Sequence, residues 1–88
     1  MQETKHSIKD ANTLVSLEMK RISRFILNER HKKKYSYSQL EEKTGLSKEL
    51  LFTLETNKRQ NISLKSLIII LSVFDIKISD YFKEEDKL

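Results

Sequence analysis

Ser36-Tyr37-Ser38-Gln39-Leu40-Glu41-Glu42-Lys43-Thr44-Gly45-Leu46-Ser47-Lys48-Glu49-Leu50-Leu51-Phe52-Thr53-Leu54-Glu55 is the stretch on which the fold turns. Ser36 opens a helix, and Gln39 three residues on completes the reciprocal pattern of a capping box. Gly45 follows Thr44 and stops that helix, as expected of a residue that reaches positive φ without penalty. Ser47 then caps a second short helix. Leu40, Leu46, Leu51 and Leu54 are spaced to meet in one shared core, which requires the two helices to cross at a steep angle. Gly45 lets the chain turn there without a Cβ in the way.

Helical patterning continues on both sides. Upstream, Ile8, Ala11, Val15, Met19, Ile22 and Ile26 recur at helical spacing. With Ser7 as cap they predict a helix to about His31, either continuous or broken near Asn12-Thr13, where both residues favour caps. The run His31-Lys32-Lys33-Lys34 closes it, since cations suit a helix C-terminus. Downstream, Asn57-Lys58-Arg59-Gln60-Asn61 is a polar loop. Ser63 caps a fourth helix from Leu64 to about Phe74, and Ser79 caps a short fifth through Tyr81 and Phe82. The expected layout is an N-terminal arm or helix extension over residues 1–13, one domain over 14–83, and an acidic tail over 84–88 containing Glu84-Glu85-Asp86. No internal repeat or linker interrupts it.

Composition agrees. The 88 residues include no proline, no cysteine and one glycine, too few turn residues for a β-rich fold and enough chain for one modest core. Lacking cysteine, the chain has neither a disulfide framework nor a thiolate zinc site. His6 and His31 stand far apart without partner ligands, so no metal is expected. Met1 to Asp10 is polar apart from Met1 and Ile8, unlike a secretory leader. Leu67-Ile68-Ile69-Ile70-Leu71 falls far short of the ~20 apolar residues that span a bilayer. A cytoplasmic protein without membrane contact is the expectation.

The net charge is +4, a weak argument alone, but the cations are concentrated. Lys20, Arg21, Arg24, Arg30, Lys32, Lys33 and Lys34 crowd the first half, and Lys58 and Arg59 form a second island. At about 100° per residue, Leu51, Leu54 and Glu55 project to one side of the third helix. Lys48, Glu49, Phe52, Thr53 and Thr56 project to the other, the face a DNA major groove would receive.

These motifs, in register, resemble the lambda-repressor and Cro-like (XRE) helix-turn-helix family. Leu40, Thr44-Gly45-Leu46-Ser47, Leu51 and Leu54-Glu55 match the helix-turn-helix itself. Ser63-Leu64 with Leu67, Ile70 and Leu71 resembles the family's fourth helix, and Ile76, Ile78, Ser79 and Phe82 its closing segment. The likeness runs from about Met19 to Phe82. It implies an all-α, five-helix DNA-binding domain, here with an extended N-terminal first helix. It implies a non-enzymatic, sequence-specific regulator of transcription, acting as a dimer on double-stranded DNA.

The resemblance also implies roles. The start of the third helix takes the base-reading and phosphate-reading positions. Lys48 would donate to guanine O6 or N7, Glu49 would accept from cytosine N4, and Thr53 and Phe52 would touch a thymine methyl. Ser47 at the cap, with Tyr37 and Ser38 at the start of the second helix, would lie near phosphate. Lys58, Arg59 and Asn61 would hold the DNA backbone without reading sequence. Arg30 and Glu55 take the positions of a structural ion pair.

Some residues depart from the family's pattern. Tyr37 stands where glutamine usually contacts a phosphate. Glu41 replaces a small residue between the two helices, so its side chain must swing out or the helices must separate slightly. Asn57 stands where glycine is common, which asparagine tolerates because it visits positive φ. Ile62 replaces the usual proline. Leu50 and Phe52 make the third helix unusually apolar and fit either a DNA or a protein contact. Ile69, Leu14, Leu17 and Leu27 hint at apolar surface beyond one core, the mark of a homodimer or of an antitoxin-like protein-interaction module on the same fold. Catalysis has no support: there is no Ser/His/Asp grouping and no glycine-rich phosphate loop, Glu41 and Glu42 diverge on a helix, and no cofactor or small-molecule substrate is implied.

Overall fold

The computed structural model describes residues 8–86, with side chains for residues 11–83. Over that range the chain forms five helices: α1 (Ile8–Lys33), α2 (Tyr37–Thr44), α3 (Lys48–Glu55), α4 (Leu64–Val73) and α5 (Ile78–Asp86). No strand occurs among the described residues. The expected all-α, five-helix architecture is therefore the one observed.

The core is built from one or two turns of every helix. Ile26 of α1, Leu40 of α2, Leu51 and Leu54 of α3, and Ile70 and Leu71 of α4 are fully buried. Phe74 and Tyr81 close the far side, where the Tyr81 ring meets Phe25 edge-on with centroids 4.9 Å apart. Leu46, expected in the same core, packs against its margin instead, half-buried.

The helix starts follow the side-chain caps. Ser36 Oγ accepts from the Gln39 amide at 3.1 Å while Gln39 Oε1 accepts from the Ser36 amide at 2.8 Å. Ser47 accepts from the Leu50 amide and Ser63 from the Ser66 amide. Each bond satisfies a donor that the helix itself leaves open. The Ser7 cap lies outside the described residues.

Of three expectations, one holds in its continuous form and two need correction. First, α1 runs unbroken through Asn12 and Thr13, the continuous alternative, so residues 8–13 continue the helix, and the basic run supplies its last turn, which reaches Lys33. Lys34 then takes φ 59°, a left-handed ending on a non-glycine residue, with Tyr35 N–H donating to the Arg30 carbonyl at 3.0 Å. Second, Val15 shares the inward stripe of α1 but is 47 % exposed. A 26-residue helix is about 39 Å long at 1.5 Å per residue, more than the other four helices can cover. The buried stripe starts at Met19, and Leu14 and Leu17 are likewise open. Third, α5 begins at Ile78, and the Lys77 carbonyl accepts from Tyr81 N–H at 2.9 Å, so Ser79 sits inside the helix. Half-buried Ile78 packs against the core there and draws the helix start upstream of the polar residue. On α4 it is Ile68 that is exposed, whereas Ile69 is half-buried.

Candidate nucleic-acid interface

The α2–α3 elbow depends on backbone conformation. Gly45 has φ 77° and ψ 5°, and its N–H donates to the Glu41 carbonyl at 2.8 Å, closing α2. A Cβ placed there would meet nothing within 4 Å. The position therefore needs glycine for its left-handed φ, as expected from sequence, and steric room, the other reason offered there, is not the constraint. Thr44 braces the same corner by accepting from Leu46 N–H at 3.0 Å.

From this elbow α3 presents two unlike faces. Leu51, Leu54 and Glu55 are buried, while Lys48, Glu49, Phe52 and Thr56 are exposed and Thr53 is half-buried. Of the two apolar residues that stood out in the sequence, Leu50 turns partly into the core, leaving Phe52 as the open one at 46 % exposure.

A cluster of polar and aromatic side chains anchors this helix. The Glu55 carboxylate, with only 1 % of its side chain exposed, pairs with Arg30, whose Nε donates to Oε2 and whose Nη2 donates to Oε1 at 3.1 Å. Arg30 Nη1 donates to the Tyr35 carbonyl at 2.9 Å, which ties the end of α1 to the α1–α2 turn. Tyr37 completes the cluster: its hydroxyl donates to Glu55 Oε1 at 2.8 Å, and its ring lies 4.3 Å from the Arg30 guanidinium carbon. Phe52 rests edge-on against Tyr37, with ring centroids 5.9 Å apart. The exposed aromatic of α3 thus meets edge-on a tyrosine whose ring lies against the guanidinium of the ion pair. Hydrogen bonding to Glu55 and its negative charge outweigh burial and raise the Arg30 pKa above its ordinary value. Burial first, then the hydrogen bond to Glu55, raise the Tyr37 pKa, so the phenol keeps its proton.

The structure joins other sequence-picked residues in pairs. Lys48 Nζ approaches Ser38 Oγ at 3.4 Å, bringing the starts of α2 and α3 together. Arg59 Nε donates to Thr53 Oγ1 at 3.0 Å, laying the 57–61 loop against α3. Lys58 N–H donates to the Thr53 carbonyl at 2.8 Å, and Asn57 takes φ 59°, the left-handed conformation its position asked for. Lys58 and Asn61 are exposed. Ser47 Oγ is occupied as a cap. Sequence reasoning paired Arg30 with Glu55 but missed Tyr37 as the third member, because a contact across 18 residues leaves no local signature.

Two short helices hinged on a left-handed glycine, the second holding a polar edge outward, make a helix-turn-helix. Residues 26–87, more than half of the chain, match the family model described as the Cro/C1-type HTH DNA-binding domain, and the chain belongs to that family. No curated protein and no solved structure matches it. No helix among the described residues is long and apolar enough to cross a membrane, and no group of three or more potential metal ligands comes together among them.

Proposed function

We propose that this protein is a sequence-specific, double-stranded-DNA-binding regulator of transcription that places α3 in the major groove. The observation that carries the reading is the outward edge of Lys48, Glu49, Phe52 and Thr53 on a helix whose other face is locked into the core through Glu55. Lys48 donates to guanine, Glu49 accepts from cytosine, and Thr53 and Phe52 meet thymine methyls. The Tyr37 hydroxyl already donates its one hydrogen bond to Glu55, so Tyr37 serves phosphate through its backbone N–H at the start of α2, beside Ser38 and Ser47. Lys58, Arg59 and Asn61 hold the backbone alongside. A dimer would set two α3 helices about 34 Å apart, one turn of the duplex.

Selection of bound sites from a random duplex pool, followed by titration of the selected site, tests this reading. Lys58→Ala with Arg59→Ala is expected to weaken every sequence alike, whereas Lys48→Ala or Thr53→Ala shifts the preferred sequence. With about six phosphates neutralised, log K falls against log salt with a slope near −5. A chain that ignores every duplex in dilute buffer overturns the proposal.

The exposed Leu14, Val15, Leu17 and Phe82 favour a second reading, a protein-interaction or antitoxin-like module on the same fold. In that case Leu14→Glu abolishes capture of a protein partner, while Lys58 and Arg59 are dispensable.

A further inference from the structure

The extended first half of α1 does not simply stand clear of the body. Its Asn12, Val15 and Ser16 face Lys58, Arg59 and Asn61 across an open groove of about 810 Å³. Three features describe what would fit there. The charged residues lining the groove are both cations, and no carboxylate lines it. Its remaining lining alternates amide and hydroxyl groups with the apolar Val15 and Met19, which suits a chain of anionic phosphates joined by apolar sugars. It is also continuous with the outward face of α3, because Arg59 forms one wall while its Nε holds Thr53 Oγ1 at 3.0 Å. The wall positions are set by the fold: Ser23 Oγ of α1 reaches Asn57 Oδ1 at 3.5 Å at the base of the loop.

We propose that this groove holds one strand of the DNA sugar–phosphate backbone, which makes Asn12 and Ser16 of the α1 extension DNA-binding residues beyond the helix-turn-helix. The proposal rests on the DNA-binding reading above and adds to it a contact made by the helix extension. Neither residue reads bases there; both donate to phosphate and so contribute equally on any sequence.

The test titrates the full chain with its selected duplex and with an unrelated duplex at low salt. Ser16→Glu sets a carboxylate in the groove, and Ser72→Glu adds the same charge at an exposed site of α4 outside it. Ser16→Glu is expected to weaken both duplexes by about tenfold, some 1.4 kcal/mol. Asn12→Ala with Ser16→Ala should weaken both about threefold, and Ser72→Glu less than twofold. Circular dichroism melting of each variant confirms an intact fold, since both serines are exposed on helices. If the wild type binds duplex and Ser16→Glu behaves like Ser72→Glu, the groove proposal is overturned while the DNA-binding reading stands. If Ser16→Glu changes the oligomeric state and leaves the affinity of a given oligomer untouched, the groove belongs to a second copy and the proposal is equally overturned. If the wild type binds no duplex, the underlying reading fails first.

Discussion

The Tyr37 hydroxyl donates to Glu55 Oε1 across 2.8 Å, joining the first residue of α2 to the last residue of α3. This bond crosses the glycine elbow and helps set how the two helices stand against each other. It also commits the phenol hydrogen inward, so in the proposed complex residue 37 would reach phosphate through its backbone N–H.

Replacing Tyr37 with phenylalanine removes that bond while keeping the ring between Arg30 and Phe52. A hydrogen bond to a charged acceptor contributes about 1.5–3 kcal/mol, and urea unfolding at neutral pH should show a loss in that range. The same variant isolates a pH effect. The folded state raises the Tyr37 pKa, so it holds the phenol proton more tightly than the unfolded chain does. The contribution is therefore complete below about pH 10, the ordinary tyrosine value, and is lost as pH rises through the higher folded value. The stability gap between wild type and Tyr37→Phe should stay level up to about pH 10 and narrow above it. A gap that widens with alkalinity would contradict the assignment.

Glu55 is the most deeply buried charge in the cluster, with 1 % of its side chain exposed against 13 % for Arg30. Truncating it strands a largely buried guanidinium, which costs about 3–5 kcal/mol. Glu55→Ala should therefore unfold at much lower urea than wild type. Glu55→Gln, which keeps the oxygen acceptor, should lose distinctly less. Equal losses would mean that the negative charge paired with Arg30, which both variants remove, carries the whole contribution, and that neither the stem nor the remaining oxygen acceptor adds to it.

Gly45 and Lys34 form an opposed pair of backbone tests. Gly45 has φ 77° with open space around a would-be Cβ, so Gly45→Ala should cost only the left-handed penalty, about 1–2 kcal/mol, with no repacking. Lys34 already bears such a penalty at φ 59°. Lys34→Gly should raise stability by about 0.5–1 kcal/mol, less whatever the freer unfolded chain takes back. Thermal melts of the two variants should move in opposite directions.

Core substitutions should separate the body from the helix extension. Leu54 is fully buried, and Leu54→Ala should cost about 2–5 kcal/mol. Val15→Ala, on the same inward stripe as Met19 but beyond the body, should change stability by less than about 0.5 kcal/mol in the monomer, as exposed sites do. A large loss at Val15 would show that a second chain covers it in solution.

Much of this protein was legible from residue order because its instructions are local. Ser36 with Gln39, Ser47, Ser63 and Gly45 each act within one helical turn, so their spacing alone placed both ends of α2 and the starts of α3 and α4. The two-faced character of α3 followed from periodicity, and the Arg30–Glu55 pair from resemblance to a family whose helices pack in this manner. What lay beyond reach depends on distances between elements far apart in the chain. Val15 has the periodicity of a core residue, yet its burial depends on whether another helix extends that far, and none does. Leu50 and Phe52 look alike in composition, and packing sent one inward and left the other on Tyr37. The junction of Tyr37 with Glu55 and the groove between Asn12, Ser16 and the 57–61 loop both join residues through space. Such contacts come into being only when five separate helices settle their mutual positions, and no short-range pattern carries that information.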